Sequence, residues 1–443
     1  MGCHRRIDWP TSICDLGNTQ TTLCDDGRVT TAMRTVNTLL YRTFRFVSEY
    51  RWTLLGLIVV VVGVVSTFVV IPVGVLVVEA VLSVLLITLE VRKNMREAKR
   101  TEFLPRTNDG FDDVVERLAG DESVRVLATP AGTFVHDRHV SERMRSPQQH
   151  VRLASRAYVV PPQLQPHARK FLKSVLARDS HRFNGPGVGW NTNFTDPTWT
   201  GHDIEVVAGD HFCFVQSDEL SAWDVAVEGR VLPEFGRALF IRRDSRIRDF
   251  RDSWLFNQIG TSTIAITNDG RLVGTLQSAA NRNSPKLMAP SGSGGAEPQD
   301  FKNEQRVSLA QFAIDSATRE LTEETGIKPE EMAQSYFLGF GRWLDAAGRG
   351  ELLSVTFLNI DSHAVKQKRI QRAESVFTAR TDSLRFARPM SQWDPASPAA
   401  MLPPEHRVRM SVPLGAALSL LAEESVRAGS AVRERLLRLQ IGP

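Results

Sequence analysis

The chain is 443 residues long, which leaves room for two or three domains and at least one large hydrophobic core. With 42% hydrophobic and 23% charged residues it has the composition of an ordinary globular protein, and its net charge of +4 is too small to indicate nucleic acid as a partner. Most of its 4 cysteines lie near the start, without the spacing of a disulfide framework or a metal site, which favours a reducing, cytosolic environment for the bulk of the chain.

The first part of the chain predicts a poorly ordered segment followed by a long apolar run. Residues 1–50 are polar and irregular, without the apolar core and cleavage site of a signal peptide, so we expect little order there. From residue 52 to residue 89 the chain is almost purely apolar, and Glu79 is its only ionisable side chain. One straight helix over this run would be roughly 57 Å long, against about 30 Å for the core of a bilayer.

A reversal near the middle of the run divides it into two helices. Pro72 removes a backbone donor and Gly74 permits a tight turn. We therefore predict a transmembrane helical hairpin over residues 51–92, with helices at 53–70 and 75–91. The alternative of a buried, soluble helix pair is disfavoured because neither segment has a polar face.

The charges around the hairpin predict its orientation. The basic residues that flank it are Arg42, Arg45 and Arg51 before it, and Arg92, Lys93, Arg96, Lys99 and Arg100 after it. By the positive-inside rule these flanks lie in the cytoplasm, so we expect a multi-pass protein of the cell membrane whose N- and C-termini are both cytoplasmic. Glu79 in the bilayer fits a hydrogen bond within a homo-oligomer better than an ion path, because one acid makes no pathway.

Beyond the hairpin the patterns are those of a mixed α+β protein. Residues 101–250 predict an α/β region of unassigned role that packs on the next domain, with strands at the apolar runs 212–215 and 238–241. In residues 251–380, β-branched residues on both sides of an Asn-Asp-Gly turn at 268–270 predict a β-hairpin. The glycine-rich stretch 290–297 predicts a loop that either presents amide groups to phosphate oxygens or simply connects two elements. 

A helix is predicted from Ser308 to Gly326. Ser308 as N-cap and Gln311 three residues later form the pattern of a capping box, and glycine favours the left-handed conformation that ends many helices. The elements expected after this helix are strands at 335–341 and 352–360 and, in a C-terminal segment 381–443, a linker and a long amphipathic helix at 414–439.

The end of this helix carries three carboxylates. Glu320, Glu323 and Glu324 stand at i, i+3 and i+4, and so share one helix face. Mg²⁺ or Mn²⁺, which prefer hard oxygen ligands, would offset the repulsion between them. Arg319 lies four residues before Glu323 and is placed to orient its carboxylate. From these charges alone, a metal site and a solvated acidic face are equally good interpretations.

Residues 319–327, Arg-Glu-Leu-Thr-Glu-Glu-Thr-Gly-Ile, match the second half of the Nudix box, Arg-Glu-U-x-Glu-Glu-x-Gly-U with U aliphatic, at every specified position. Residues from about 255 to 362 therefore resemble a Nudix domain. The resemblance implies a Nudix-like α/β/α sandwich with a mixed sheet, here preceded by the transmembrane hairpin. It also implies that Glu320, Glu323 and Glu324 bind Mg²⁺ or Mn²⁺, and that Arg319, Glu323 and Glu324 are the catalytic group. Glu323 or Glu324 would help to activate water.

The first half of the box departs from the pattern. Gln311 stands where a glutamate is expected, and Gln305 where a glycine is expected. Acids that could compensate are Glu297, Asp300 and Glu304 before the helix and Glu351 after it.

Three functions follow as hypotheses. The first is a membrane-anchored Nudix-type hydrolase, in which water attacks a phosphorus of a small molecule built on a nucleoside diphosphate. The second is a catalytically weak, Nudix-like nucleotide sensor coupled to the hairpin, because a fold does not guarantee an activity. The third is an interaction or structural domain whose acidic face is merely solvated. 

Overall fold

The computed structural model describes residues 101–441 apart from 107–109, 179–181, 183, 233, 280–283 and 371–376, together with isolated positions between 81 and 92. The expected segment 1–50 and most of the expected hairpin 51–92 lie outside the described residues. The positions described between 81 and 92 are helical and exposed. Among the described residues, no helix is long and apolar enough to cross a membrane.

The protein is an α+β protein with mixed sheets, as the sequence predicts. The strands are β1 Thr101–Pro105, β2 Val124–Thr129, β3 Gly132–Asp137, β4 His150–Leu153, β5 Pro186–Trp190, β6 Asp203–Asp210, β7 Trp223–Val227, β8 Arg230–Leu232, β9 Gly260–Ile266, β10 Leu272–Gln277, β11 Met288–Ala289, β12 Gly292–Gly295, β13 Arg306–Ser308, β14 Met332–Trp343, β15 Arg349–Leu358 and β16 Thr378–Leu384. The helices are α1 Asp112–Leu118, α2 Arg138–Arg145, α3 Gln165–Arg178, α4 His211–Gln216, α5 Phe235–Ala238, α6 Leu309–Thr325, α7 Ser362–Lys366, α8 Pro404–Arg407, α9 Val412–Val426 and α10 Ala431–Arg438.

The chain divides into two compact units, and residues 101–250 are shared between them. The first unit comprises residues 1–105, 165–185 and 223–234. Within its described part, β1, β7 and β8 form an antiparallel sheet, on which Phe171 of α3 packs through its ring. The second unit comprises residues 106–164, 186–222 and 235–443 and holds the candidate site.

The second unit is built on a large mixed sheet. Within the described residues its strand order is β11-β10-β9-β15-β14-β3-β2, with β12 also paired to β9 and β16 to β10. Strands β9 and β15 run parallel, with Thr261 opposite Leu352, and the other pairs are antiparallel. The hairpin β9–β10 and the strands β14 and β15 confirm the predicted elements. Strands β2 and β3 extend this sheet, which brings part of residues 101–250 into it.

Helices cover both faces of the large sheet. Along β9, Ile264 and Ile266 share a hydrophobic core with Leu418 of α9, whereas Ala265 between them packs with Leu321 of α6. Successive side chains of a strand point to opposite faces, so α6 and α9 lie on opposite sides of the sheet. Helix α6, the sheet and α9 therefore form three layers, with α6 packed on one face of the sheet.

A smaller mixed sheet, β13-β4-β6-β5, completes the second unit. Its core joins that of the large sheet through an aromatic cluster, Trp190, Phe194, Phe250 and Phe340, whose ring centroids lie between 4.9 and 6.2 Å apart. Glycine at 189 allows the close approach of this sheet to the segment before β9, because a Cβ there would lie 2.0 Å from the carbonyl oxygen of Phe256.

Two predicted strands are wrong. Residues 212–215 lie in α4, whose N-cap Asp210 accepts a hydrogen bond from the amide of Cys213 at 2.8 Å. Residues 238–241 begin at the end of α5 and form no strand; Ile241 makes only an isolated bridge. A short run that is apolar at every position shows neither the two-residue period of a strand nor the 3.6-residue period of a helix, so it does not predict either one. At 212–215 the N-cap residue Asp210 favours the helix.

The expected single helix at 414–439 is also wrong, because it breaks into α9 and α10. Ser430 caps α10, and its hydroxyl donates a hydrogen bond of 2.6 Å to Glu424 near the end of α9. Helix α9 is buried almost all round between the sheet and its other neighbours rather than amphipathic.

Candidate functional site

Helix α6 begins and ends where the sequence predicts. Gly326 follows it with φ 73°, and its amide donates to the carbonyl of Thr322 at 3.0 Å. A Cβ at this glycine would lie 2.3 Å from the carbonyl oxygen of Arg369, so the position needs glycine for space as well as for conformation. The predicted capping box is wrong: Ser308 makes no side-chain capping bond, and the Gln311 side chain donates instead to Asp315 at 2.9 Å.

The glycine-rich stretch forms a strand against this helix, where a loop was expected. Strand β12 pairs with β9, with Gly294 opposite Thr261. A Cβ at Gly292 would lie 2.3 Å from the backbone nitrogen of Leu321, and one at Gly294 would lie 2.3 Å from Cδ of Glu320. The missing side chains therefore allow the backbone of β12 to lie directly on the acidic turns of α6.

Arg319 lies at the centre of the site and binds both β12 and the turn that follows it. Its Nη2 donates to the carbonyl oxygen of Gly295 at 2.8 Å. Its Nε and Nη2 donate to the two carboxylate oxygens of Asp300 at 2.8 and 3.1 Å, and its Nη1 donates to Glu320 at 2.8 Å. Glu297 lies 3.9 Å from the same guanidinium.

The three glutamates differ in exposure and in partners. Glu320 is buried beside Arg319, and Glu324 is buried with its carboxylate accepting a hydrogen bond of 3.2 Å from the amide of Ser293. The side chain of Glu323 is 20% exposed, and its carboxylate lies 3.5 Å from Nη1 of Arg319. The predicted contact between Arg319 and Glu323 is thus present, but the contacts to Asp300 and Glu320 are closer.

The electrostatics of the site are dominated by acids. One guanidinium faces the carboxylates of Glu297, Asp300, Glu320 and Glu323 within 4 Å. Desolvation opposes the charge of Arg319, but the attraction of Glu320, Asp300 and Glu297 outweighs it and raises the pKa of Arg319 well above its ordinary value. Arg319 therefore stays charged at any pH at which the protein is folded.

The fit of a divalent cation depends on donor chemistry and on arrangement. The donors are all carboxylate oxygens, which suit Mg²⁺ or Mn²⁺. Within the described residues, however, no group of three or more His, Cys, Asp or Glu side chains is placed to hold a metal ion. Glu320 and Glu324 are engaged with protein donors, so a cation has to replace those hydrogen bonds to be coordinated by them.

The two glutamines of the first half of the box are exposed, and neither bonds to Arg319. Among the candidate replacement acids, Glu297 and Asp300 lie at Arg319, whereas Glu304 is exposed.

Glu351 lies elsewhere, on the α9 face of the sheet, where it accepts a hydrogen bond of 2.7 Å from Ser262 and pairs with Arg349. Burial raises the pKa of the Glu351 carboxyl above its ordinary value, and Arg349 partly offsets this effect. The sheet therefore separates this acid from the cluster on α6.

A supporting network that the sequence does not reveal lies just before β9. The fully buried carboxylate of Asp218 accepts hydrogen bonds from the amides of Asn257 and Gln258, at 3.2 and 3.1 Å, and from the hydroxyl of Ser217 at 2.8 Å. Burial raises the pKa of Asp218 to about 6, although these hydrogen bonds act in the opposite direction. No local pattern marks Asp218, because the two backbone amides that bind it lie 39 and 40 residues away.

No family model matches the chain, and no match was found among the curated proteins.

Proposed function

We propose that this chain is a Nudix-type hydrolase, anchored to the membrane by its N-terminal hairpin, that cleaves a nucleoside diphosphate-linked small molecule with Mg²⁺ or Mn²⁺. One observation carries the proposal. The Arg-Glu-x-x-Glu-Glu segment, residues 319–324, lies on the last two turns of α6, with the backbone of β12 directly against its carboxylates. The α6–sheet–α9 layering is in keeping with a Nudix-like α/β/α sandwich.

The charges around Arg319 support a cation-dependent reaction. A guanidinium that faces four carboxylates leaves an excess of negative charge, which a divalent cation would neutralise. In this proposal Glu320, Glu323 and Glu324 hold the cation. Of the three, Glu323 has the most exposed side chain and would be the most accessible to a cation.

Each residue of the site has a separate role in the proposed cleavage of a phosphorus–oxygen bond. A cation bound by these carboxylates would neutralise phosphate charge and lower the pKa of the attacking water. Glu323 or Glu324 accepts the proton of the water that attacks phosphorus, the bridging phosphorus–oxygen bond of the diphosphate breaks, and the second phosphate leaves as an anion. Arg319 holds Glu320 in place through its Nη1. The Ser293 amide, 3.2 Å from Glu324, orients that carboxylate in turn.

A second candidate, a nucleotide sensor with little turnover, is favoured by Gln311. This residue is exposed and bonded to Asp315, so the site lacks an acid at that position of the box. Ligand binding without cleavage is the expected behaviour of such a site. In both proposals the hairpin anchors the chain in the membrane, so the chain should resist extraction from membranes by alkaline carbonate.

One experiment separates the two candidates. The full chain, in detergent or nanodiscs, is incubated with Mg²⁺ or Mn²⁺ and ADP-ribose, NADH, nucleoside triphosphates or dinucleoside polyphosphates. A hydrolase shows metal-dependent turnover that falls by about 100-fold or more in Glu323→Gln and Glu324→Gln. The matched control is Glu330→Gln, which removes an exposed acid six positions further on and should keep full activity.

The outcomes are distinct. Saturable binding of one of these ligands without turnover supports the sensor. If the chain neither binds nor cleaves any of them, both candidates fail.

A further inference from the structure

We propose that Asp300 is a positioning residue of this site. It holds the guanidinium of Arg319, and through it the carboxylate of Glu320. An effect of Asp300 on catalysis rests on the proposed function, whereas the contact between Asp300 and Arg319 can be tested separately.

Asp300 and Arg319 form a bidentate salt bridge. Both carboxylate oxygens of Asp300 accept from different nitrogens of the guanidinium, Nε at 2.8 Å and Nη2 at 3.1 Å. The side chain of Asp300 is only 3% exposed, so water competes little for these bonds. A planar guanidinium bound along one edge has a fixed direction, and its remaining nitrogen, Nη1, points to Glu320 at 2.8 Å.

Asp300 is itself held by the backbone next to β12. It belongs to a 3-10 turn, Pro298–Phe301, and its Oδ2 accepts a hydrogen bond of 2.8 Å from the amide of Glu297. Arg319 also donates to the carbonyl of Gly295 at the end of β12. One backbone group, the carbonyl of Gly295, therefore holds the guanidinium directly, and a second, the amide of Glu297, holds the Asp300 carboxylate that binds it.

The alternative positions do not offer this contact. Position 311 lies about 12 Å from position 319 along the helix axis, and the Gln311 side chain is turned to Asp315. Glu304 is exposed, and Glu351 lies on the other face of the sheet. A glutamate at position 311, introduced by Gln311→Glu, should therefore not be able to replace Asp300 as the partner of Arg319.

The test uses the full chain labelled with ¹⁵N-arginine. The Nε–H resonance of Arg319 is assigned by its loss in Arg319→Lys, and its exchange with solvent is measured in the wild type, Asp300→Asn and Glu304→Gln. We expect at least a tenfold faster exchange in Asp300→Asn and no change in Glu304→Gln, the matched loss of an acid from the same segment. Calorimetric titration with Mn²⁺ alone should show about 10- to 100-fold weaker binding in Asp300→Asn.

A rescue experiment separates positions 300 and 311. Adding Gln311→Glu to Asp300→Asn should leave Mn²⁺ affinity low, and restored affinity would overturn the proposal. Unchanged exchange at Arg319 in a folded Asp300→Asn chain overturns it as well. If Asp300→Asn does not fold, Asp300→Glu keeps the charge but shifts it by one methylene. That variant should alter the Arg319 resonance and weaken Mn²⁺ binding several-fold, and an unaltered resonance and affinity count against the proposal.

The proposed function fails separately from this inference. A wild-type chain that binds no Mn²⁺ overturns the metal site. The anchoring of Arg319 is supported even then if its Nε–H is protected in the wild type and exposed in Asp300→Asn.

Discussion

The backbone of Gly294 lies so close to the carboxylate of Glu320 that a Cβ atom at position 294 would be 2.3 Å from Cδ of Glu320. The glycine strand and the acidic helix are therefore a single packed unit. Because Glu320 also bonds to Arg319, a change at the strand reaches the guanidinium and its other partners.

Gly294→Ala should disturb this unit. The added methyl forces the Glu320 side chain or the strand to move, and overpacking of this kind costs about 1–3 kcal/mol. The free energy of unfolding, measured by urea denaturation, is expected to fall by that amount, and any Mn²⁺ affinity should fall with it. Gly120→Ala is the matched control, because its Cβ would meet no atom within 4 Å. A Gly294→Ala chain as stable as the wild type would show that the close contact is relaxed in solution.

Gly326→Ala should lower the free energy of unfolding by more than the strain of a left-handed backbone conformation alone would cause. Gly429 has nearly the same φ, 74° against 73°, but a Cβ there meets nothing within 4 Å, whereas a Cβ at Gly326 lies 2.3 Å from the carbonyl oxygen of Arg369. Alanine at position 429 should therefore cost about 1–2 kcal/mol from the left-handed conformation only. The loss at position 326 should exceed it, measured by urea denaturation of both variants. Equal losses of unfolding free energy in the two variants would show that the close approach to Arg369 does not contribute.

Asp218 should make stability depend on pH. Its pKa in the folded chain, about 6, lies above the ordinary 3.8. Between these values the folded chain keeps a proton that the unfolded chain has lost, so stability falls as pH rises from about 4 to about 6 and then changes no further through this group. The full effect is roughly 3 kcal/mol at most.

The measurement is the free energy of unfolding from pH 4 to pH 7 in the wild type and in Asp218→Asn. The variant should lose this part of the pH dependence. Glu304→Gln, which removes an exposed acid, should keep the wild-type profile. Parallel profiles for the wild type and Asp218→Asn would contradict the raised pKa.

Local patterns predicted the parts of the site that depend on neighbours in sequence. Helix α6, its end at Gly326 and the hairpin β9–β10 follow from spacing, turn residues and glycine chemistry. The sequence names Asp300 only as one of several candidate acids, because Asp300 reaches Arg319 across 19 residues and a change of chain direction.

Long-range pairing explains the remaining differences. The join of β3 to β14, with Val135 opposite Arg342, links segments that no sequence period connects. The strand predicted at 212–215 became a helix because one side-chain cap, Asp210, outweighed a pattern that fits either structure.

The parallel pairing of β9 with β15 joins two strands that are far apart in the chain. Hairpin β9–β10 forms from neighbouring residues, but Thr261 and Leu352 must meet across a long intervening segment, which is slow because loop closure precedes any gain from the contact. Helix α9, which covers the other face, is made later still. During synthesis β9, β10 and β12 precede α6, whereas β14, β15 and α9 follow it, so the sheet beneath the acidic turns is complete only after most of the chain has been made.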